Sequence, residues 1–388
     1  MSLNYEAVNF VTKDKSAGIF LVDTFAMITS ELDVGIDRYK EGKTMKIMTL
    51  RLSILFIISI FFILPQGLFA LSPSETELIS GAKKEGQFLL YCSMQVDQST
   101  PILKKFEEKY PFIKTGLYRA SGEKIMNKYF MEERANKFSA DSILVSGFHL
   151  IQLQKRNLLK RYVSPESEAY PDYFKDPKGY WNASHANTYV IGYNTKLISS
   201  KEVPKTYEDL LDPKWKGKIG FDNEDYEWMG NILKMMGREK GISYLRKLSQ
   251  QNLQIRHGHT LITQLIIAGE FPLGFVFSYA AELAKIKGAP IDWVGLEPVV
   301  TGINVIVIPD KTPHPYSAML FVNFFLSEEG QVLLRDLTSR IPCRSGVEPI
   351  PARLSKGLKL FVSSPSLAEE ANELAILGRE IFPVSGKK

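Results

Sequence analysis

Residues 87 to 119 read QFLLYCSMQVDQSTPILKKFEEKYPFIKTGLYR, and their order decides the fold class. Gln87 to Cys92 is a short apolar run of strand type, followed by a polar loop, Ser93 to Gln98. Ser99 is placed to cap a helix with Pro101 near its first turn, which runs to Tyr110 and stops at Pro111. A second strand follows around Ile113 to Tyr118. Outward from this unit, Thr76 to Glu85 reads as a helix closed by Gly86. Beyond it come a helix capped by Ser121 and running to about Phe138, a strand at Asp141 to Val145, and a helix from about Phe148. Strand and helix alternate, which predicts an α/β fold of mostly parallel sheets flanked by helices on both faces.

Near Tyr162 the pattern changes to loop chemistry, with Pro165, Pro171, Pro177 and Gly179 among aromatic residues. An extended stretch, Thr188 to Tyr193, leads to a short helix over Lys205 to Leu211 and a strand at Lys218 to Phe221. Helices are expected over Tyr226 to Met236, Glu239 to Ser249 and Leu261 to Ala268. A strand at Leu273 to Phe277 and a helix from about Ala280 to Lys287 complete a second alternating unit. Ile303 to Ile308 reads as a buried strand, and His314 to Leu326 and Glu328 to Leu337 as two further helices. No internal repeat of fixed period is visible.

Residues 45 to 70, MKIMTLRLSILFIISIFFILPQGLFA, have the layout of a signal peptide: a basic start, an apolar run from Leu52 to Leu64, and small residues at a plausible cleavage point. That run has 13 residues, whereas a membrane span needs about 20. Export, with a periplasmic destination, is therefore expected. Segment 1–44 shows no sustained period and reads as an extension upstream of the true start. The alternative is a cytoplasmic tail ahead of a signal anchor. No cysteine near the cleavage point offers a lipid anchor. The 318 residues from Leu71 onward exceed what one core usually organises, so two lobes are expected. With 45% hydrophobic and 23% charged residues the chain has enough apolar surface to fold. Its net charge of +5 includes no basic block interleaved with aromatics, so nucleic acid is not expected as a partner. Cys92 and Cys343 could pair or remain thiols.

The chain contains no GxSxG, HExxH, Walker or dinucleotide glycine motif, so no catalytic residue is assigned and a binding function is expected. His257 and His259, two apart in RHGHT, could share a metal in an extended segment. A polar loop with one buried, hydrogen-bonded imidazole fits better, because spacing fixes no third ligand. The loops after the strands are the stronger candidates, since open parallel sheets bind ligands beyond their carboxyl ends. Ser93, Gln95 and Asp97 follow the first strand, Arg119, Ser121 and Gly122 the second, and Ser146 and Gly147 the third. Ser121 and Ser146 precede helices, where free N–H groups favour an anion, although ordinary capping explains them equally. In DNEDYEW (222–228), Asp222, Glu224 and Asp225 complement a helix N-terminus or, with Tyr226, hold a hard cation. Tyr279 follows the strand at Leu273 to Phe277, where nothing structural requires a tyrosine.

Five phrases together resemble the periplasmic solute-binding proteins of bacterial ABC importers, in the branch that includes ferric-iron-binding proteins. They are GAKKEGQFLLYCS (81–93), VIGYNTKLI (190–198), PKTYEDLLDPKWKGKIGF (204–221), GEFPLGFVFSYAAE (269–282) and SAMLFVNFFLSEEGQVLL (317–334). The resemblance implies a type II periplasmic-binding-protein fold: two lobes joined by two hinge strands, here Val190 to Asn194 and Ile303 to Ile308. Lobe one would be 71–187 plus 300–388, and lobe two 188–299. It implies a monomer that delivers a solute to an inner-membrane permease, without a resident cofactor. Ferric iron as cargo would use Tyr279, Tyr226 and Asp225. Where ferric-binding members place two adjacent tyrosines this chain has Ser278, Tyr279 and Ala280, so a phosphonate, polyamine or thiamine is the alternative cargo. An exported enzyme on the same scaffold is the alternative class. N-terminal sequencing of the exported protein should find a mature end near Leu71; a retained Met1 would overturn the cleavage reading.

Overall fold

The computed structural model describes residues 73–383; the upstream extension and the signal peptide lie outside the described residues. The chain begins with α1 (Glu75–Glu85), whose Ser74 and Glu77 form a reciprocal capping box and whose end is turned by Gly86 in the left-handed region. Then follow β1 (Gln87–Cys92), α2 (Val96–Lys109), β2 (Lys114–Arg119), α3 (Gly122–Arg134), β3 (Ser142–Ser146) and α4 (Gly147–Lys155). β1 pairs in parallel with both β2 and β3, as alternation requires. α2 starts four residues earlier than its sequence suggests. Gln95 stands at the cap position without a side-chain bond, and Ser99 is buried with its hydroxyl 3.6 Å from the Cys92 sulfur.

β4 (Asn182–Asn194) is the element on which the architecture turns. Only its second half was expected, because Asn182 to Asn187 are small or polar residues that show no apolar period, yet all thirteen residues are buried. From Asn182 to Thr188 it pairs antiparallel with β9 (Val299–Val307), which continues the first sheet through β3. From Tyr189 onward it pairs with β7 (Leu273–Phe277) and β8 (Ile291–Val294). The second sheet continues from β7 to β5 (Ile219–Phe221) and β6 (Gln254–Ile255), both junctions parallel. Between these strands lie α5 (Tyr226–Met236), α6 (Arg238–Ser249), α7 (His259–Ala268) and α8 (Ser278–Ile286). After β9 come α9 (Pro315–Leu326), α10 (Glu328–Thr338), the short strands β10 (Ile341–Pro342) and β11 (Leu360–Val362), and α11 (Ala371–Ile381).

Side-chain alternation gives the second sheet two buried faces. Val190 and its cross-strand partner Val276 join the larger hydrophobic core, while Ile191 and its partner Phe275 join a separate one. In that second core, Trp228 and Phe275 meet edge to face at 4.7 Å, and Phe221 packs against Phe382 at 4.8 Å. Segment 300–388 therefore divides: Ala318 to Leu354 pack in the larger core, and Leu367, Leu374, Ile381 and Phe382 in the second. Cys92 and Cys343 are buried free thiols. Among the described residues, no helix is long and apolar enough to cross a membrane.

β5 and β7 approach closely where Gly220 faces Gly274. A Cβ on Gly274 would lie 2.8 Å from the Gly220 carbonyl oxygen, which is backbone and cannot swing aside. Gly274→Ala should therefore cost about 1–3 kcal/mol in urea denaturation; unchanged stability would show that the strands part freely.

Candidate functional site

The ends of β1, β3 and β7 and the middle of β4 bring polar and aromatic groups to one region. Arg340, between α10 and β10, is 3% exposed, donates from Nη1 to Gln98 Oε1 at 2.6 Å and stacks 3.9 Å above the Tyr279 ring. Its Nε has no partner, and among the described residues it meets no carboxylate. Tyr279 stacks on Phe277 (5.9 Å), Phe277 meets Tyr189 edge to face (4.9 Å), and the Tyr189 hydroxyl donates to Glu227 Oε2 at 3.4 Å. An aromatic row thus runs from a buried cation without an acid to a carboxyl group.

Glu227 lies in the first turn of α5 and accepts the Ser146 hydroxyl at 3.0 Å. Burial pushes its carboxyl up to about 7; the Ser146, Ser363 and Tyr189 hydroxyls only partly offset burial, and Asp225 adds to it. Two residues away, Asp225 makes no helix cap. It meets His259 Nε2 at 3.0 Å, while Nδ1 of the same ring lies 3.2 Å from the Phe275 carbonyl. Burial alone would lower the His259 imidazole, but Asp225, Asp222 and that carbonyl outweigh it and hold it up at about 9. Burial raises the Asp225 carboxyl, and His259 offsets part of that rise. Tyr189 stays a neutral phenol, its ionisation pushed well up by burial and by Asp225 and Glu227.

Of the residues expected at the site, Gln95 bridges from the first sheet's loop to Thr260 of α7 at 3.2 Å, and Ser146 reaches Glu227. Ser146 also caps α4 through Phe148 N, the ordinary role expected of it. Ser121 caps α3 through Lys124 N. Gly122 makes room for His149, since a Cβ there would collide with the imidazole. Burial lowers that imidazole to about 4. Ser93 turns inward to the Leu144 carbonyl, and Asp97 is exposed in the first turn of α2. Tyr226 packs against Gly378 of α11, Asp225 is engaged by His259, and Tyr279 lies under Arg340, so each has a different partner. His259 is the buried, hydrogen-bonded imidazole expected in RHGHT. His257 is exposed, with ligand atoms of Asp222 and Glu224 within 4.8 Å of its own. Asp222 already accepts from Glu224 N and Gly258 N. Sequence reasoning missed Arg340 and Glu227. Glu227 lay within the DNEDYEW motif, whereas Arg340 has no local signature.

The model of the bacterial extracellular solute-binding proteins matches residues 140–359. The chain belongs to this family. Iron uptake protein A1 of Synechocystis is 22% identical over 276 residues, covering 66% of this chain and 76% of that protein. Two solved structures are similar: iron-bound HitA from Pseudomonas aeruginosa (TM-score 0.68, 24% identity, 76% of this chain and 99% of that one) and AfuA from Actinobacillus pleuropneumoniae with fructose-6-phosphate bound (TM-score 0.71, 23% identity, 77% and 99%). At these identities the likeness shows the fold, which is the type II two-lobe arrangement of periplasmic binding proteins joined by hinge strands.

In this solute-binding protein the His259–Asp225 pair leaves a pH signature. Because the folded imidazole holds its proton more tightly than the unfolded one, its stabilisation is complete below the ordinary value of 6.5 and is lost as pH rises through about 9. The corresponding loss from Glu227 is largely over by about pH 7. Unfolding free energy should therefore fall between roughly pH 7 and 9 in the native protein and stay flatter in His259→Gln; parallel slopes would exclude the pair.

Proposed function

We propose that this protein is the periplasmic solute-binding component of an ABC importer and that its cargo is a small anionic solute. Cleaved near Leu71, it would hold the solute between its two lobes and deliver it as a monomer to an inner-membrane permease. No catalytic role is assigned to any residue. Arg340 carries the choice of cargo. A guanidinium that is 3% exposed with no carboxylate beside it is costly unless an anion completes it. Its contacts with Gln98 near the first sheet and Tyr279 beside the second would place that anion between the lobes.

Ferric iron is the second reading, supported by relatives such as iron uptake protein A1 and by Tyr279 after β7. A cation at Tyr279 would face the Arg340 guanidinium, a repulsion requiring an intervening anion, and Tyr226 and Asp225 are engaged elsewhere. A thermal-shift screen of phosphates, phosphonates, polyamines, thiamine and Fe(III)-citrate separates these readings. A ligand at 100 times its Kd adds about 2.7 kcal/mol, readily visible as a higher Tm. Phosphate- or phosphonate-bearing solutes should stabilise the protein, and Arg340→Gln should weaken their binding at least about tenfold, roughly 1.4 kcal/mol. A visible tyrosinate-to-iron band lost in Tyr279→Phe would instead establish iron.

A further inference from the structure

The region holds a second uncompensated charge. Glu227 is bounded by Ser146 from β3, Tyr189 from β4, Ser363 after β11, and Gly302 of β9, on which a Cβ would lie 3.0 Å from Oε1. Among the described residues, the charged group acting on it is Asp225, at the cap position before its helix, which is paired with the His259 imidazole. That pair is neutral overall, and among the described residues no cation meets Glu227. Arg340 thus lacks an acid at one end of the Tyr279–Phe277–Tyr189 row, and Glu227 lacks a cation at the other.

We propose that these two charges match one ligand, a zwitterion whose anionic group meets Arg340 and whose ammonium group meets Glu227, which makes Glu227 the specificity-determining residue. This rests on the anion reading above. The ammonium displaces the Ser146 and Tyr189 hydroxyls, neutral donors that compensate a carboxylate less well than a charged one. The aromatic faces between the two ends favour the ammonium along its path. Because the Glu227 carboxyl sits at about 7 without a cation beside it, an arriving ammonium lowers it and expels a proton.

The test compares pairs of probes that share an anion and differ at the amine: 2-aminoethylphosphonate against ethylphosphonate, and glucosamine 6-phosphate against glucose 6-phosphate. Calorimetry is run between pH 6 and 8 in buffers of different ionisation enthalpy. In at least one pair the aminated member should bind at least about tenfold more tightly. It should also release protons near pH 7. Because the ammonium lowers the second ionisation of the phosphonate or phosphate it is tethered to, that release is read against Glu227→Gln with the same probe, where the anion's own titration is common to both. Glu227→Gln should collapse the preference and the proton release together. Equal affinities in both pairs, tighter binding of the neutral members, or a preference that survives in Glu227→Gln would overturn the assignment while leaving the anion reading standing. If none of the four probes binds, both fall. The native-protein comparison decides even if the variant fails to fold.

Discussion

Thr188 and Tyr189 are consecutive residues of one strand, yet Thr188 pairs with Thr301 of β9 and Tyr189 with Phe277 of β7. One strand therefore belongs to both sheets. Every residue of β4 is buried, so each backbone N–H and carbonyl on it must be satisfied by strands of one sheet or the other. The handover is reinforced by a hydrogen bond from the Thr188 hydroxyl to Ser278 at the start of α8. Because β9 runs beside β4 and reaches Gly302 next to Glu227, the strands that join the sheets also form the floor beneath the polar site. Fold and site are thus fixed by the same hydrogen-bond ladder.

Above that floor, the chemistry is asymmetric. Groups reached from the first sheet are hydroxyls, helix starts and a buried guanidinium; those reached from the second are carboxyls, an imidazolium and aromatic rings. Two of the charged groups, Asp225 and His259, cancel each other. Had Arg340 and Glu227 met, they would have cancelled too, leaving nothing for a charged solute to complete. Each is instead held by neutral partners, which orient it without neutralising it.

Much of this was legible locally. α5 and β7 were read to the residue, because Gly and charged punctuation bounds α5 and Pro272 and the sheet's apolar run define β7. The start of α2 was missed because Gln95 lacks a capping bond, so no Ser, Thr, Asp or Asn marks it. The first half of β4 was missed because a strand wedged between two neighbours can bury Ser184, His185 and Asn187 through hydrogen bonding, and hydropathy does not register that. At the site, Gln95 and Ser146 reach partners on the second-sheet side, and the RHGHT loop holds one buried imidazole. Arg340 could not be read at all: its importance comes from the absence of an acid around it, and that is a property of three-dimensional neighbours.

The bonds linking groups of the two sheets, Gln95 to Thr260 and Ser146 to Glu227, join neutral donors to their acceptors. The Gln95–Thr260 bond contributes only about 0.5–1.5 kcal/mol net, and the Ser146–Glu227 bond about 1.5–3 when the carboxyl is ionised, because water serves the same groups when the contact opens. Contacts of that size bias a closed arrangement without locking it. A solute that brings charge to Arg340 replaces a desolvation penalty with a charge-assisted bond, which is worth more than the neutral contacts it displaces. Under the anion reading, the energy for closure would come from the solute's charge more than from the protein's own contacts, and solutes that lack the complementary charge would gain little from it.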